Sequence, residues 1–313
     1  MLSFFELQGH RGARGLKPEN TFSAFESALD LGVTSIETDI HLTRDGVPVL
    51  MHDPRLSDSL CTLTNDDGSF SLSQHPLISA LTLAQIRRCR ADRNPDARRF
   101  PRQDASVTPL ARWFGDQQGL DPYSPPTLPD LFALVDVYAG SPGAAMGKTD
   151  SQREKAARLR FDLELKRVPF HPEVINDSYT GEAPDLLEQK IVAAARAANV
   201  VQRTIVRSFD HRCVRFLRQM EPGLTGAVLL AYTAPVSPGD LAQTADASIY
   251  CPSFDFLDAE QVRAAHAAGT RVLPWTVNEP NDWEKLIDWG VDGITTDYPD
   301  RLATWLQERG ITY

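Results

Sequence analysis

Acidic side chains alternate with apolar ones in two segments that are typical of buried β-strands. Glu37 and Asp39 lie in V-T-S-I-E-T-D-I-H-L, and L-R-F-D-L-E-L-K carries Asp162, Glu164 and Lys166 in the same alternation. Side chains two residues apart point to the same face of a strand, so each set projects to one side. Carboxylates that converge from neighbouring strands suit a hard divalent cation such as Mg²⁺ or Ca²⁺. A buried layer of salt bridges that includes Lys166 is the alternative interpretation.

Two histidines follow predicted strand ends near these acids. His10 stands in G-H-R-G after the first apolar run, and His52 ends V-P-V-L-M-H after the D-G turn of a predicted hairpin. Imidazole exchanges protons near neutral pH, which suits general acid and base catalysis. The other histidines lack such neighbours and are expected to be surface or packing residues: His41, His75, His171, His211 and His266.

Short apolar or β-branched runs alternate with helical patterns along the chain, which predicts a parallel α/β sheet. The predicted strands are Phe5–Gly9, Val33–His41, Leu159–Lys166, Thr204–Ser208, Gly226–Tyr232, Ala247–Tyr250, Thr270–Trp275 and Gly293–Thr296. Eight strands favour closure into a TIM (β/α)8 barrel, whose C-terminal rim carries the chemistry in barrel enzymes. An open doubly wound sheet is the alternative, but G-H-R-G-A-R-G matches a dinucleotide-binding loop poorly.

Residues 55–126 interrupt this alternation and are predicted to be an insertion after the second strand. We expect one domain, 1–313, in which the insertion packs over the barrel mouth. The insertion contains a helical pattern at Thr82–Arg90 and the arginine-rich run D-R-N-P-D-A-R-R-F-P-R-Q. Its arginines either form a solvated face or contact an acidic head group. Ser141–Ala157 is polar and is predicted to be a solvated loop.

The composition of the 313 residues is that of a globular protein, with 42% hydrophobic and 24% charged residues. A net charge of -10 disfavours nucleic acid and anionic membranes as partners, and the longest apolar runs are too short to span a bilayer. The four cysteines are widely spaced and are expected to be buried, reduced thiols. The N-terminus lacks signal-peptide features, so we expect a cytoplasmic chain without stable membrane association; a leader already removed is the alternative.

The order of several motifs resembles the glycerophosphodiester phosphodiesterase family. These motifs are H-R-G, P-E-N-T, E-T-D, D-G-x-P-V-L-M-H-D, E-L-K, S-F-D, W-T-V-N and D-G-I-T-T-D-Y-P. The resemblance is close over residues 7–54 and resumes at Pro126–Leu134, Phe161–Lys166, Val206–Asp210 and Ala247–Leu302. It implies a TIM barrel that hydrolyses small glycerophosphodiesters to glycerol 3-phosphate and an alcohol such as choline or ethanolamine.

The resemblance also implies roles for individual residues. One divalent cation, Mg²⁺ or Ca²⁺, would be held by three acids, and two histidines would act as general acid and base. The resemblance further implies two phosphate contacts and one aromatic residue that lines the substrate pocket. The three acids are Glu37, Asp39 and Glu164, and the two histidines are His10 and His52. The phosphate contacts are Arg11 and Lys166, and the aromatic residue is Trp275.

Chemical reasoning suggests how the phosphodiester would be cleaved. The chain has no serine or cysteine nucleophile motif, and the substrate 2-hydroxyl is already tethered to the phosphorus. We therefore expect attack by this hydroxyl through a cyclic phosphate, which water then opens.

Three other functions remain open. One is lysophospholipase D activity, with an apolar lip drawn from Leu77, Ile78, Leu81, Trp113 and Phe114. The others are a non-catalytic barrel that binds phosphate-bearing ligands and a metal-dependent sugar isomerase.

Overall fold

Eight parallel strands form a nearly closed barrel in the computed structural model, which describes residues 4–64 and 68–313. Numbered along the chain, they are β1 (Glu6–Gly9), β2 (Ser35–Leu42), β3 (Arg160–Leu165), β4 (Thr204–Ser208), β5 (Thr225–Leu230), β6 (Ile249–Pro252), β7 (Arg271–Val272) and β8 (Gly293–Thr296). Their order around the sheet is β7-β6-β5-β4-β3-β2-β1-β8. Backbone hydrogen bonds from Asp292 to Val272 (2.9 Å) and from Thr295 to Pro274 (3.1 Å) link the two ends. The predicted TIM barrel is confirmed.

Helices follow most of the strands and cover the outside of the barrel. The α-helices are Phe22–Asp30, Leu83–Ile86, Pro109–Gln118, Leu128–Ala139, Ser141–Ala145, Asp150–Ala157, Leu186–Ala197, His211–Met220, Pro238–Thr244, Ala259–Ala267, Pro280–Asp288 and Pro299–Glu308. The main apolar core lies between these helices and the outward faces of the strands, where Ile36, Ile40 and Phe161 are fully buried. Within residues 4–64 and 68–313, no helix is both long and apolar enough to cross a bilayer.

Two predicted elements outside the barrel strands were wrong in extent or type. Ser141–Ala157 was expected to be a loop, but it forms two of the helices above. The second helix, Asp150–Ala157, begins with a capping box formed by Thr149 and Gln152 and buries only Ala156. Strong helix formers and this cap stabilise it in place of an apolar face. The helix predicted at Thr82–Arg90 ends at Ile86, and Cys89–Arg90 pairs with Thr62–Leu63 as an antiparallel strand.

The seventh strand was predicted to reach Trp275, but regular pairing stops at Val272. Pro274 has no backbone N–H to donate toward β8. On the β6 side, Trp275 still donates its backbone N–H to Pro252 at 3.0 Å and forms an isolated bridge with Ser253. The predicted hairpin after β2 is confirmed, because Pro48–Leu50 runs back along β2 with Ile40 opposite Leu50.

The barrel interior has a polar half and an apolar half. Side chains of β1 to β4 supply buried polar groups, among them Gln8, Asp162 and Arg207. The opposite half is apolar and consists of Ile205, Ala227, Leu229, Ile249, Cys251 and Leu273, with Phe209 and Trp275 packed against it. Charged groups are therefore concentrated on one side of the interior.

Residues 55–126 contain an apolar cluster of their own, which includes Leu56, Cys61 and Cys89 and packs against Val49 and Met51 of the hairpin. Ion pairs join this segment to the barrel loops. Lys17 Nζ lies 2.8 Å from Asp104 Oδ1, and Arg102 Nη1 lies 3.0 Å from Asp300 Oδ2. As expected, all four cysteines are buried and free: Cys61, Cys89, Cys213 and Cys251.

Candidate active site

Three buried carboxylates meet at the C-terminal ends of β2 and β3. The register aligns Asp39 with Glu164, and Glu37 lies one inward-facing position earlier on β2. One carboxylate oxygen from each of the three residues lies within 4.8 Å of the others. Glu37 and Asp39 are almost fully buried, and Glu164 is 7% exposed. The alternation in the sequence therefore brings these acids together as expected.

The electrostatics of this cluster fit a bound cation. Burial and the charge of Asp39 raise the pKa of Glu37 to about 8. Within the described part of the chain, Glu37 Oε1 and Asp39 Oδ1 are buried and accept no hydrogen bond. Arg207 and Lys166 approach these two atoms at 3.1 and 3.4 Å. Buried carboxylate oxygens with spare acceptor capacity are the ligands that Mg²⁺ and Ca²⁺ prefer.

A salt-bridge layer lies beneath the cluster, but its cation is Arg207 and not the Lys166 of the alternative interpretation. Arg207 Nη1 on β4 lies 3.2 Å from both Asp162 Oδ2 and Gln8 Oε1, and Gln8 also donates to Asp162 at 2.6 Å. Arg207 Nη2 contacts Glu37 above. Asp162 thus belongs to an internal ion pair, whereas the three acids above it form the candidate cation site.

Two further cations border the carboxylates. Lys166 Nζ lies 2.7 Å from Glu164 Oε1, and Arg11 Nε lies 3.3 Å from Asp39 Oδ2. Arg11 also donates its backbone N–H to Glu37 Oε2 at 3.0 Å and its Nη1–H to Glu19 at 2.9 Å. Burial opposes charge on Asp39, but Arg11 and Lys166 outweigh burial and hold its pKa well below the usual range. These cations lie where they can contact an anion above the cluster.

His10 lies between the acid cluster and the last barrel strand. Its Nδ1 is 2.6 Å from Asp297 Oδ1, and its Nε2 is 3.8 Å from Glu37 Oε2. Asp297 follows β8 and also accepts a hydrogen bond from Asn278 at 2.8 Å. Burial lowers the pKa of His10 to about 4 although Asp297 opposes this shift. A neutral His10 that donates Nδ1–H to Asp297 leaves Nε2 free to accept a proton.

His52 lies at the end of the hairpin that follows β2. Its side chain is 33% exposed, and Nδ1 lies 2.7 Å from Asp53 Oδ1. The buried His41 donates Nε2–H to the backbone carbonyl of His52 at 3.0 Å. His41, expected to be a surface or packing residue, is fully buried and packs beneath the loop that carries His52.

A cavity of about 310 Å³ opens over these groups at the barrel mouth. Six of the eight predicted site residues line it: His10, Arg11, His52, Glu164, Lys166 and Trp275. Glu37 and Asp39 lie beneath its floor. Trp275 donates its indole N–H to the backbone carbonyl of Cys251 at 2.9 Å and packs edge-on against Phe209 at 5.8 Å. The cavity therefore has one charged wall and one apolar wall.

Several site residues were missed in the sequence. Arg14, Arg99, Arg207 and Phe209 also line the cavity, and Asp297 orients His10. Asp297 carries a usable signal, because it ends D-G-I-T-T-D directly after a predicted strand. Arg99 lies in the insertion, where sequence spacing alone gives no sign of its position relative to the barrel mouth.

Comparison with known sequences identifies the family. The sequence profile described as "Glycerophosphoryl diester phosphodiesterase family" matches residues 10–301, which is nearly the whole chain. The chain belongs to this family. Because the family is enzymatic, the prediction of an enzyme of this class is confirmed.

Proteins named as glycerophosphodiester phosphodiesterases match this chain over most of its length. The chain is 27% identical over 302 residues to "Glycerophosphodiester phosphodiesterase" of Caldanaerobacter subterraneus subsp. tengcongensis, which covers 96% of this chain and 97% of that protein. A crystal structure of a Silicibacter pomeroyi protein assigned to the glycerophosphoryl diester phosphodiesterases superposes with a TM-score of 0.77 at 29% identity, covering 99% and 96% of the two chains.

A more distant structure supports the fold. It is an Oleispira antarctica phosphodiesterase in complex with the product sn-glycerol-3-phosphate, with a TM-score of 0.67 and 19% identity over 96% of each chain.

Proposed function

We propose that this protein hydrolyses glycerophosphodiesters to glycerol 3-phosphate and an alcohol, with the help of a divalent cation and two histidines. One observation carries the proposal: a single cavity is lined by His10, His52, Arg11 and Lys166 above a cluster of three buried carboxylates. The Caldanaerobacter relative carries the name of this activity, which supports the same substrate class.

Glu37, Asp39 and Glu164 would hold one Mg²⁺ or Ca²⁺ ion. The fit rests on their converging oxygens, two of which accept no hydrogen bond from the described residues. When bound, the cation would supply positive charge against the non-bridging phosphate oxygens. Arg11 and Lys166 would contact the same oxygens, Arg11 with a planar fork and Lys166 as a point charge.

The two histidines would divide the proton transfers. The lowered pKa of His10 favours a neutral ring near pH 7, and its Nε2 lies 3.8 Å from Glu37 Oε2, so we assign His10 as the base of the first step. His52 would then protonate the leaving alkoxide. In the second step, water would open the cyclic phosphate, with His52 as the base and His10 as the acid. Asp297 would hold His10 in the tautomer that this assignment needs.

The nucleophile of the first step would be the substrate's own 2-hydroxyl. Its tether to phosphorus makes the attack intramolecular, and such reactions reach effective molarities of about 10⁵–10⁸ M. The new P–O bond closes a five-membered cyclic phosphate while the bond to the alcohol breaks. Trp275 and Phe209 would pack against the carbon skeleton on the apolar wall.

The insertion would form part of this site. We propose that residues 55–126 belong to the single barrel domain and cover its mouth. Arg99 supports this proposal, since it lines the cavity and its Nη2 lies 3.4 Å from Asp297 Oδ2. Arg102 adds an ion pair to the loop after β8.

Incubation with glycerophosphocholine, followed by identification of the products, tests the proposed activity. We expect glycerol 3-phosphate and choline in equal amounts, and a loss of about 10²–10⁴-fold in the His10→Ala variant. Release of phosphocholine and glycerol would place the cleavage on the wrong side of the phosphorus. Absence of any turnover with glycerophosphocholine, glycerophosphoethanolamine and glycerophosphoserine would overturn the proposal.

A lysophospholipase D activity is a second candidate, and exposed apolar residues favour it. The apolar rim consists of Val168 and Phe170 after β3, Tyr232 and Val236 after β5, and Phe256 after β6, all of them well exposed. The rings of Tyr232 and Phe256 lie 5.4 Å apart, and exposed apolar residues on loops at the C-terminal ends of the strands fit an acyl chain. The lip that we drew from the insertion does not form, since Ile78, Leu81 and Phe114 are buried in apolar clusters.

Comparing lysophosphatidylcholine with glycerophosphocholine separates the two candidates. Lipid activity predicts that Phe170→Ser lowers turnover of the lysolipid more than that of glycerophosphocholine. Phe4→Ser is a suitable control, because Phe4 is exposed outside the apolar rim. No turnover of the lysolipid would exclude this candidate.

A further inference from the structure

Two arginines on the cavity wall have no task in the proposed chemistry. Arg14 comes from the loop after β1, and Arg99 comes from the insertion; both line the cavity that holds His10. Their guanidinium carbons lie 4.6 and 5.2 Å from the ring centre of Phe100, which is fully buried. One rigid ring therefore holds two guanidinium groups beside the candidate active site.

The carboxylates near these arginines are shared with other groups. Glu19 lies 2.6 Å from Arg14 Nε and 2.9 Å from Arg11 Nη1. Asp297, 3.4 Å from Arg99 Nη2 and 4.0 Å from Arg14 Nη1, is already bonded to His10. The two guanidinium groups thus keep N–H donors for a further acceptor, and an anion between them would offset their mutual repulsion.

We infer that Arg14 and Arg99 form a subsite for a second anionic group on the alcohol part of the substrate. The inference rests on the proposed phosphodiesterase function and narrows its substrate class. The phosphodiester itself carries one negative charge, which Arg11, Lys166 and the cation would meet. The planar forks of Arg14 and Arg99 suit a carboxylate or a phosphate, as in glycerophosphoserine or glycerophosphoinositol 4-phosphate.

Arg102 provides a matched control from the same segment. Its side chain is 48% exposed, against 49% for Arg99, and it too stacks on an aromatic ring, at 5.1 Å from Tyr298. Its guanidinium is paired with both carboxylate oxygens of Asp300, at 3.0 and 3.4 Å, and it does not line the cavity. Loss of Arg102 removes a comparable surface charge without touching the subsite.

The test uses substrate pairs that differ only in the second anion. Glycerophosphoserine and glycerophosphoethanolamine differ by one carboxylate, and glycerophosphoinositol 4-phosphate and glycerophosphoinositol differ by one phosphate. The measured quantity is the ratio of kcat/KM within each pair, for wild type and for Arg99→Met, Arg14→Met and Arg102→Met. Thermal unfolding checks that each variant is folded.

We expect wild type to favour the anionic member of at least one pair. Loss of a hydrogen-bonded charge should lower that ratio about tenfold in Arg99→Met and Arg14→Met, while Arg102→Met retains it. A preference in only one pair identifies the group as carboxylate or phosphate. Turnover without preference, or equal losses for both members, would overturn the subsite and leave the phosphodiesterase intact. Turnover of neither these four compounds nor glycerophosphocholine would instead overturn the proposed function.

Discussion

Asp297 and His10 form a hydrogen bond of 2.6 Å that joins the last barrel strand to the first loop. The two residues are 287 positions apart, and closure of the barrel between β8 and β1 brings them together. Asp297 is fully buried and is held in turn by Asn278. The bond fixes both the ring orientation and the tautomer of His10, which the assignment of His10 as a base requires.

Asp297→Asn should therefore lower turnover of a glycerophosphodiester by about 10²–10⁴-fold, the range for loss of effective acid–base catalysis. The amide can stabilise the wrong tautomer of His10 without removing the side chain. Steady-state kinetics across pH 5–9 would measure the effect. Asp300→Asn is the control, because Asp300 pairs with Arg102. If the two variants had the same kcat at every pH, the role of Asp297 in orienting His10 would be refuted.

His52 should matter independently of His10, because the proposed mechanism needs one acid and one base. His52→Ala is expected to reduce kcat by about 10²–10⁴-fold. His171→Ala serves as the control, since His171 is an exposed histidine paired with an acid. A fully active His52→Ala enzyme would reduce the role of His52 to a structural one.

The Arg167–Asp177 ion pair should make stability depend on pH. Burial opposes charge on Asp177, but hydrogen bonds from Arg167 outweigh burial and hold the pKa of Asp177 below its usual value. A lowered folded-state pKa stabilises the protein above the unfolded pKa, about 3.9, and the gain fades as pH falls below it. Asp177→Asn should cost about 1–3 kcal/mol at pH 7 and progressively less below pH 4.

Denaturant unfolding of wild type and Asp177→Asn at several pH values would measure this difference. Glu173→Gln is the control, because Glu173 is an exposed acid paired with a histidine. A difference between wild type and Asp177→Asn that grew as pH fell from 5 to 3 would have the wrong sign for the ion pair.

Local periodicity predicted the acid cluster, and long-range contacts account for what was missed. Glu37, Asp39 and Glu164 could be placed on one face because side chains alternate along strands, whatever the rest of the fold. Asp162 shares that face, but it accepts hydrogen bonds from Gln8 on β1 and Arg207 on β4 and lies outside the cluster of three acids. The sequence could not distinguish these two layers, because their difference depends on contacts between four strands.

The parts of the fold that were misassigned have local causes. Asp150–Ala157 buries too little apolar surface for its helix to appear as a hydrophobic period. Arg99 could not be placed from the sequence, since its position on the cavity wall depends on how the insertion packs against the barrel. Propensity and caps would have found the helix, whereas no local rule places Arg99.

Removal of the substrate 2-hydroxyl tests the order of the chemical steps. With the same cation and enzyme, a 2-deoxyglycerophosphodiester should turn over at least about 10³-fold more slowly, because the intramolecular nucleophile is lost. Parallel binding assays would show whether the deoxy compound still occupies the site. Comparable rates for the two compounds would mean that water attacks directly, and the cyclic phosphate would have to be abandoned.

The central claim is that a cation held by Glu37, Asp39 and Glu164 supports phosphodiester hydrolysis. The most direct test measures glycerol 3-phosphate release before exhaustive chelation, after it, and after return of Mg²⁺ or Ca²⁺, with metal analysis of each sample. We predict one ion per chain, a loss of activity with the ion, recovery on its return, and neither binding nor recovery in Glu37→Gln. Turnover within a few fold of the starting value in metal-free wild-type protein would contradict the account.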